Sequence, residues 1–428
     1  MRTRYVGCVS VSETHGAVNA IFRIESPRLI ARLTRLVGDI GRAEELAQDA
    51  LVAALERWPG SGIPTNPGAW LMVTAQHRAL DELRRGKRVE RHQGTLETLL
   101  ESKESDVASL EASLGAEIED DLLRLVFIAC HPTLPTESRV ALTLRLLGGL
   151  TTGEIARAFL TPEPTIAQRI VRAKRTLSDA GVPFEVPRGD ELLVRLSSVL
   201  DVVYLIFNEG YSATAGDDWM RPALCDEALR LGRVLAELVP REAEVHGLVA
   251  LMEIQASRSP ARVGPSGEPI PLLEQQRSAW DRLLIRRGLA ALARADALSQ
   301  ARGPYSLQAA IAACHVQARN ADETDWARIA ELYAELALRQ PSPVVEVNRA
   351  VAVAMAHGPE AGLAIVDALA GEPALQTYHL LPAVRGDLLY KLGRFSEAQL
   401  EFERAASLTN NLREQDALYD RAAVCSEG

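Results

Sequence analysis

The chain has 428 residues, of which 47% are apolar and 24% are charged, and its formal net charge is −10. This length allows about two to four domains, and the composition is that of a globular protein. No run of residues approaches the ~18 apolar positions of a membrane span. The N-terminus also lacks the apolar core of a signal peptide, so we expect a cytoplasmic protein.

The cysteines give no sign of a disulfide framework or a zinc site, because their number is odd and no two of them form a CxxC pair. We interpret Cys130 and the adjacent His131 as a helix end and not as metal ligands. The sequence therefore predicts no metal and no cofactor. The cysteines are Cys8, Cys130, Cys225, Cys314 and Cys425.

The negative charge is unevenly distributed along the chain. Residues 1–189 hold 24 basic and 24 acidic residues, whereas the remainder holds 23 basic and 33 acidic residues. The second half therefore carries the whole net charge. A neutral first half with basic patches favours DNA contact made together with a partner over strong autonomous DNA binding.

The first part of the chain predicts helices. Residues 1–20 show no clear period and are expected to be loose, whereas the apolar spacing from Ile21 to Trp58 predicts two helices. Four polar residues lie between the apolar positions of the second helix, and a solvated face is sufficient to explain them. They are Glu44, Glu45, Gln48 and Asp49.

A loop and a basic helix follow. Prolines and glycines between Trp58 and Pro67 exclude a regular element there, and a third helix is predicted from about Pro67. Its end holds five cations within eight residues, which are Arg84, Arg85, Lys87, Arg88 and Arg91. The helix dipole explains part of this charge, and the excess predicts a track for phosphates.

An acidic run separates this helix from the next apolar segment. Between positions 97 and 121 the chain holds nine carboxylates against one lysine, Lys103. Such a composition predicts a flexible linker, which we assign to residues 93–121.

A helix-turn-helix is predicted after an apolar helical segment over 122–147. Thr151 and Glu154 have the spacing of a capping box, and Thr161 is expected to cap a second helix that begins at Pro162. That helix has one apolar stripe, formed by Ile166, Ile170, Ala173 and Leu177. Its opposite face is polar and basic and holds Thr165, Gln168, Arg169, Arg172 and Arg175. This arrangement predicts entry into a DNA major groove, with an ordinary amphipathic helix pair as the alternative.

The last 240 or so residues are again helical in pattern. A strongly apolar helix ends in Asn208-Glu209-Gly210-Tyr211, which we interpret as a helix stop capped by Gly210, with a small-molecule site as the alternative. Gly386, Ala398, Phe402 and Ala405 have the spacing of a tetratricopeptide-like helix pair. A step of ~34 residues back predicts a preceding repeat, marked by Ala352, Ala364 and Ala368.

Two of these segments together resemble a known family. Residues 43–51, 69–71 and 79–85 resemble region 2 of bacterial RNA polymerase sigma factors of the extracytoplasmic-function (ECF) type, and residues 154–156 and 165–173 are similar to their region 4. The resemblance covers roughly residues 20–180, and the whole chain resembles the subgroup with a long tetratricopeptide-like C-terminal extension. It implies an all-α fold, with a region 2 bundle over 21–92, region 4 over 122–183 and a helical extension over 190–428.

The resemblance also implies roles for individual residues. Core polymerase, through the clamp helices of its largest subunit, would meet Glu45, Gln48 and Asp49. The −10 element would meet Trp58, Asn66, Trp70, His77, Asp81, Arg84, Arg85 and Arg88, although the family most often has Asn where His77 stands. The −35 element would meet Thr165, Ala167, Gln168, Arg169, Arg172 and Arg175, and Ala167 departs from a commonly basic position.

These features predict a promoter-specificity subunit without catalytic chemistry. Its expected partners are core RNA polymerase, including the flap as well as the clamp helices, promoter DNA, and a small YCII-like (DGPF) protein. The extension is expected to regulate activity. The alternative is a helix-turn-helix regulator or a tetratricopeptide-like scaffold without sigma activity. The region over Trp58–Arg91 and the acidic linker favour the sigma factor, since a simple repressor needs neither.

Overall fold

The computed structural model describes residues 11–90, 121–159, 161–213, 215–216, 218–265 and 267–426. Side chains of α3 are described as far as Asp81. The chain divides into two compact units, residues 1–202 and 203–428. Both are helical, and the described strands form only one two-stranded parallel pair. The all-α prediction is therefore confirmed.

The first unit begins with a three-helix bundle followed by four shorter helices. The first three helices pack against one another around buried residues such as Leu33, Leu46 and Leu71. The bounds are Val11–Val37 (α1), Ile40–Ser61 (α2), Pro67–Glu90 (α3), 121–129 (α4), Thr136–Leu146 (α5), Thr152–Ala158 (α6) and Glu163–Asp179 (α7).

Two predicted boundaries at this end of the chain are wrong. The helix α1 already begins at Val11, so the expectation of a loose segment fails for residues 11–20, and residues 1–10 lie outside the described part. The helix α2 continues through Trp58 and Pro59 to Ser61. The helix tolerates Pro59 because the buried Trp58 holds the last turns in place, and Gly62 ends it with a φ of 80°.

Asp121 is a structural residue and not the end of a flexible linker. Its side chain is fully buried, and Arg124 donates to one of its carboxylate oxygens at 2.6 Å. Arg32 and Arg35 of α1 lie 3.3 and 3.5 Å from the same carboxylate. A buried carboxylate is stable when several cations compensate its charge, so Asp121 attaches α4 to α1. Positions 93–120 of the predicted linker lie outside the described residues.

The helix-turn-helix has the predicted core. The capping box is confirmed, since the Thr151 hydroxyl accepts from the amide of Glu154 and the Glu154 carboxylate accepts from the amide of Thr151. The apolar stripe is also confirmed, because α7 buries Ile166, Ile170, Ala173 and Leu177. Thr161 does not cap α7, because its hydroxyl donates back to the carbonyl of Phe159. The first turn of α7 has no side-chain cap.

The helix α8 covers Asp190–Tyr211, and the boundary between the two units falls within it, after Val202. Its first half belongs to the first unit. There Arg195 donates to the carbonyl of Phe127 at 3.1 Å, and Ser198 donates to the carbonyl of Cys130 at 2.7 Å. The extension that we predicted to begin at residue 190 therefore starts with a segment that packs on α4.

Gly210 is not a helix cap, which corrects the interpretation of the Asn208–Tyr211 motif. It lies inside α8 and is not among the glycines with positive φ. A Cβ at this position would lie 2.5 Å from the backbone nitrogen of Cys225. Glycine is therefore required here for the close approach of α8 to the backbone at Cys225.

The second unit consists of helices, most of which are joined by short connections. One longer connection contains three 3-10 turns, at Ser259–Ala261, Leu272–Glu274 and Arg277–Ala279. The two strands of this unit, Ala215–Gly216 (β1) and Asn410–Asn411 (β2), pair in parallel. The helices are Pro222–Leu238 (α9), Ala243–Ala256 (α10), Arg282–Leu298 (α11), Pro304–Gln317 (α12), Trp326–Arg339 (α13), Pro343–His357 (α14), Pro359–Ala368 (α15), Leu380–Lys391 (α16), Phe395–Leu408 (α17) and Leu412–Ser426 (α18).

Consecutive helices of this unit pack as pairs, and the predicted pair α16–α17 is present. Ala398, Phe402 and Ala405 are buried, and the Phe402 ring lies where a side chain at Gly386 would stand. The predicted register of the preceding repeat is wrong, because Ala364 and Ala368 are exposed. A step of 36 residues carries Gly386, Ala398 and Phe402 onto buried residues, which are Ala350, Gly362 and Val366. The connection between α15 and α16 lengthens the repeat.

Candidate nucleic-acid and polymerase interface

The helix α2 has an exposed polar face that contains the three predicted polymerase-binding residues. Glu45, Gln48 and Asp49 are all exposed, whereas Ala43, Leu46, Ala47 and Ala50 are buried. Asp49 lies 3.5 Å from Arg78 of α3. An ion pair with this much exposure contributes little to stability, so the carboxylate is accessible to a partner.

The helix α3 presents a second polar face. His77 and Asp81 are exposed and Trp70 is half-buried, while Leu71, Ala75 and Ala79 are buried on the opposite side. At 3.6 residues per turn, positions 70, 77, 81, 84, 85 and 88 follow one side of the helix. The side chains of Arg84, Arg85 and Arg88 lie outside the described residues, and their backbone continues α3.

Trp58 is a core residue, which corrects its assignment to the −10 contacts. Its side chain is only 1% exposed, and its ring meets that of Trp70 edge to face with centroids 5.2 Å apart. It therefore positions Trp70. Asn66 is exposed, and its side-chain oxygen accepts from the amide of Ala69 at 3.0 Å, so it also caps the start of α3.

The predicted recognition helix α7 exposes its basic face. Gln168, Arg172 and Arg175 are exposed, whereas Thr165, Ala167 and Arg169 are half-buried. Arg175 lies 3.4 Å from Asp179, and both of these side chains are largely open to solvent. Gln168, Arg172 and Arg175 share the side of α7 that faces away from its apolar stripe, and the three half-buried residues flank the stripe.

Glu44 is buried, so the prediction that it lies on a solvated face is wrong. It is 7% exposed, and its carboxylate accepts from Arg145 Nε at 2.6 Å and from Lys174 Nζ. Burial alone would raise the pKa of this carboxyl, but the charges of Lys174 and Arg145 outweigh burial and lower it. A signal was present, since Glu44 lies between Ile40 and Ala47 in the apolar stripe of α2.

Glu44 joins the parts of the first unit that carry the two polar faces. It lies on α2, whereas Arg145 ends α5 and Lys174 lies on α7, two residues after Arg172. A second contact brings Gly149, at a φ of 63°, against Arg23 of α1, where a Cβ would lie 3.0 Å from the Arg23 carbonyl oxygen. The first unit is therefore closed, with the bundle and the helix-turn-helix in contact.

The described residues offer no group of three or more histidine, cysteine, aspartate or glutamate side chains that could hold a metal ion. Cys130 is buried and lies 3.3 Å from the Thr143 hydroxyl. Burial raises the pKa of its thiol to about 11, so it stays protonated at neutral pH. Among the described helices, none combines the length and apolar character that crossing a bilayer requires.

Three families of known proteins match separate parts of the chain. Residues 21–89 match Sigma-70 region 2, and residues 124–177 match Sigma-70, region 4. Residues 195–296 match a Family of unknown function (DUF6596). The first two matches cover the bundle with its α2 and α3 faces and the helix-turn-helix with its α7 face.

Three relatives are similar to this chain, and two of them are sigma factors by name. The uncharacterized protein R00370 of Rhizobium meliloti (strain 1021) is 42% identical over 91% of this chain and 91% of its own length. The RNA polymerase sigma-H factor of Pseudomonas aeruginosa is 30% identical over 36% of this chain and 81% of its own length. The probable ECF RNA polymerase sigma factor SigI of Mycobacterium tuberculosis is 28% identical over 42% of this chain and 61% of its own length.

Among solved structures, the chain is similar to yeast Tom70 at 11% identity, over 97% of this chain and 85% of that one, with a TM-score of 0.37. A score of this size lies below the level at which a common fold is concluded.

Proposed function

Because the chain belongs to the sigma-70 family of RNA polymerase sigma factors, we propose that it binds core polymerase through α2 and reads two promoter elements through α3 and α7. The observation that carries this proposal is the pairing of two exposed polar faces with the two matched regions. The face of α3 lies in region 2, and the face of α7 lies in region 4. We assign the protein no catalytic role, and we place its action with polymerase in the cytoplasm.

For polymerase docking, Glu45, Gln48 and Asp49 support a polar contact, because all three remain exposed in the closed first unit. For the −10 element, Asn66, Trp70, His77 and Asp81 are proposed together with Arg84, Arg85 and Arg88. Single-stranded DNA binds to cationic tracks with stacking surfaces. Trp70 offers such a surface near the start of α3, on the side of the helix along which the basic positions follow.

For the −35 element, the proposal relies on the exposed side chains of α7. Gln168 suits adenine and Arg172 suits guanine, because their paired hydrogen-bonding groups match the edges of these bases. Arg169 and Arg175 are proposed to contact phosphates, since charge without a fixed geometry is sufficient there. Thr165 and Ala167 are proposed to border this contact from the two flanks of the helix near its start.

We expect Asp49→Arg to weaken the affinity for core polymerase about tenfold or more, because a like charge placed at a complementary contact is strongly unfavourable. The fold should be retained, since Asp49 is exposed and its pair with Arg78 is a surface pair. A pull-down with core enzyme measures the affinity. Glu331→Arg on α13 is the matched control, because it reverses another exposed carboxylate that has an arginine partner, Arg328. Equal affinities for the two variants would remove Asp49 from the docking surface.

We further propose that the second unit controls sigma activity, and on the resemblance alone we include a small YCII-like (DGPF) protein among its partners. The division of the chain after Val202 supports a separate regulatory body. Transcription by residues 1–202, once circular dichroism shows the fragment to be folded, tests the proposal beside the full chain. Identical activities would contradict it.

A further inference from the structure

Two arginines of the second unit are buried without a counter-charge. Arg258 and Arg262 follow the end of α10, and each is 8% exposed. Within the described part of the chain, neither forms an ion pair with a carboxylate. Arg258 donates to the Tyr211 hydroxyl at 2.8 Å and to the side chain of Gln255, and its Nε has no partner among the described atoms.

Arg262 is held in the same way by neutral groups. It donates to the carbonyl of Tyr211, and its guanidinium carbon lies 3.5 Å from the centre of the Tyr211 ring. Other buried charges of this unit are paired, as Glu209 with Arg221 and Glu253 with Arg233. Burying a cation without an opposite charge is costly, and these two arginines receive no compensating charge from the described carboxylates.

A third cation and an unpartnered histidine border this cluster. Arg277 donates to carbonyl oxygens, including that of Ala318 at 2.9 Å, and stacks on Trp280. His315 is 8% exposed, and its Nδ1 has no partner in the described part of the chain. Burial, and then the charges of Arg258 and Arg277, lower the pKa of His315 to about 4. The ring is therefore neutral at pH 7 and free to donate or accept a hydrogen bond.

Three partly buried tyrosines of the second unit come from different elements. Tyr204 lies on α8, Tyr333 on α13 and Tyr378 just before α16, and each side chain is only partly buried. Burial is the main cause that raises the pKa of Tyr333 to about 12. The electrostatic effects of Tyr204 and Tyr378 also raise it, whereas that of Arg258 lowers it. Tyr204 and Tyr333 pack against the same hydrophobic cluster, which contains Ala261 and Trp280. Ala261 directly precedes Arg262, and Trp280 contacts Arg277.

Two of these hydroxyls are available for a ligand. Tyr204 donates to Gln308 at 3.0 Å, whereas the hydroxyls of Tyr333 and Tyr378 have no hydrogen-bond partner among the described residues. Tyr204 and Tyr333 thus offer aromatic surface, and Tyr333 a free hydroxyl, on the hydrophobic cluster that adjoins the buried arginines. Ligand pockets commonly combine an apolar lining with a few convergent polar groups.

We propose that the second unit binds a small organic anion, with a carboxylate or phosphate group against the guanidinium of Arg258 and the body of the molecule against Tyr204 and Tyr333. The planar arginine fork matches the oxygens of either group. Arg262 adds a second positive charge at this end, and the neutral ring of His315 adds a hydrogen-bonding group. The motif Asn208–Tyr211 has a direct part in this site, because Tyr211 holds both arginines and Gly210 allows α8 to pack closely on α9.

Calorimetric titration of the full chain at constant ionic strength tests the site, with sodium phosphate and sodium succinate as the probes. Polymerase is absent, so the result does not depend on sigma activity. We expect at least one probe to bind, and we expect Arg258→Gln to weaken that binding about tenfold or more, as for the loss of a charged hydrogen bond. Tyr333→Phe should weaken it about threefold to tenfold, as for a neutral one. Arg404→Gln, which changes an exposed arginine of α17, should leave it unchanged.

The outcomes separate the ligand classes and expose a failure. If only phosphate binds, the ligand is a phosphate ester, and if only succinate binds, the ligand is a carboxylate. If both bind, the site recognises the negative charge that the two classes share. Arg258→Gln should fold, because the substitution removes an uncompensated buried charge, and thermal melting checks this. If it does not fold, Tyr333→Phe carries the test. The proposal is overturned if neither probe binds the wild-type chain. It is also overturned if Arg258→Gln binds the probe as tightly as Arg404→Gln does. If Arg258→Gln does not fold, the same comparison is made with Tyr333→Phe.

Discussion

Replacing Glu44 by glutamine is expected to destabilise the contact between the bundle and the helix-turn-helix by about 3 kcal/mol. This is the lower end of the range for breaking a buried ion pair. The lower end applies because Arg145 and Lys174 keep 19% and 21% of their side chains exposed and recover some hydration. Glutamine preserves the size of the side chain, so the loss of stability measures the contribution of the negative charge. Hydrogen exchange in the full chain should report faster opening of α2, α5 and α7.

The neighbouring Glu45 gives the matched control. It is exposed and pairs with Arg42 on the surface. Glu45→Gln should therefore change the stability of the contact between the bundle and the helix-turn-helix by less than about 1 kcal/mol. Equal exchange rates in the two variants would mean that Glu44 does not hold the closed form.

The pH dependence of the same contact follows from the sign of the shift. The pKa of Glu44 is lowered in the folded chain, so its contribution is fully present above the unfolded value of about 4.3. It is lost as the pH falls through the lowered value. The stability difference between wild type and Glu44→Gln should therefore shrink below about pH 4 and stay constant from pH 6 to 8.

Replacing Arg172 by alanine should cost about 1–3 kcal/mol at one position of the −35 element and relax the preference there, as expected for a lost bidentate base contact. Arg172 is exposed near the middle of α7, and the apolar stripe of that helix is intact without it. The fold should therefore be unaffected. Transcription from a promoter library randomised at the −35 element measures the preference position by position.

Arg169→Ala is the comparison for this variant. A phosphate contact carries no sequence information, so this change should weaken binding evenly across promoters and reduce the salt dependence by about one charge. Identical −35 preferences for wild type and Arg172→Ala would show that the recognition face is misplaced.

The sequence was most informative where local rules decide the structure. The capping box at Thr151 and the stripe from Ile166 to Leu177 depend only on helix geometry and hydrogen bonding within a few residues. Both were predictable for this reason. The exposed faces of α2 and α7 follow from the same periodicity, since polar residues opposite an apolar stripe remain in contact with solvent.

The errors occurred where tertiary contacts override local signals. Trp58 and Pro59 have the composition of a loop, yet packing against Trp70 extends α2 past them. The burial of Glu44 and Asp121 depends on cations that are distant in the sequence, since Arg145 lies 101 residues from Glu44 and Arg32 lies 89 residues from Asp121. Gly210 looked like a helix cap because its close neighbour, Cys225, belongs to another helix.

The sigma activity itself is tested most directly by transcription with core polymerase on a promoter library, with the full chain as the only added specificity factor. The proposed function predicts transcripts that begin at a fixed distance downstream of a shared pair of −35 and −10 sequences. It also predicts that Asp49→Arg abolishes them. Tight binding of promoter DNA by the chain alone, without any transcript when core polymerase is present, would contradict a sigma factor and support a helix-turn-helix regulator.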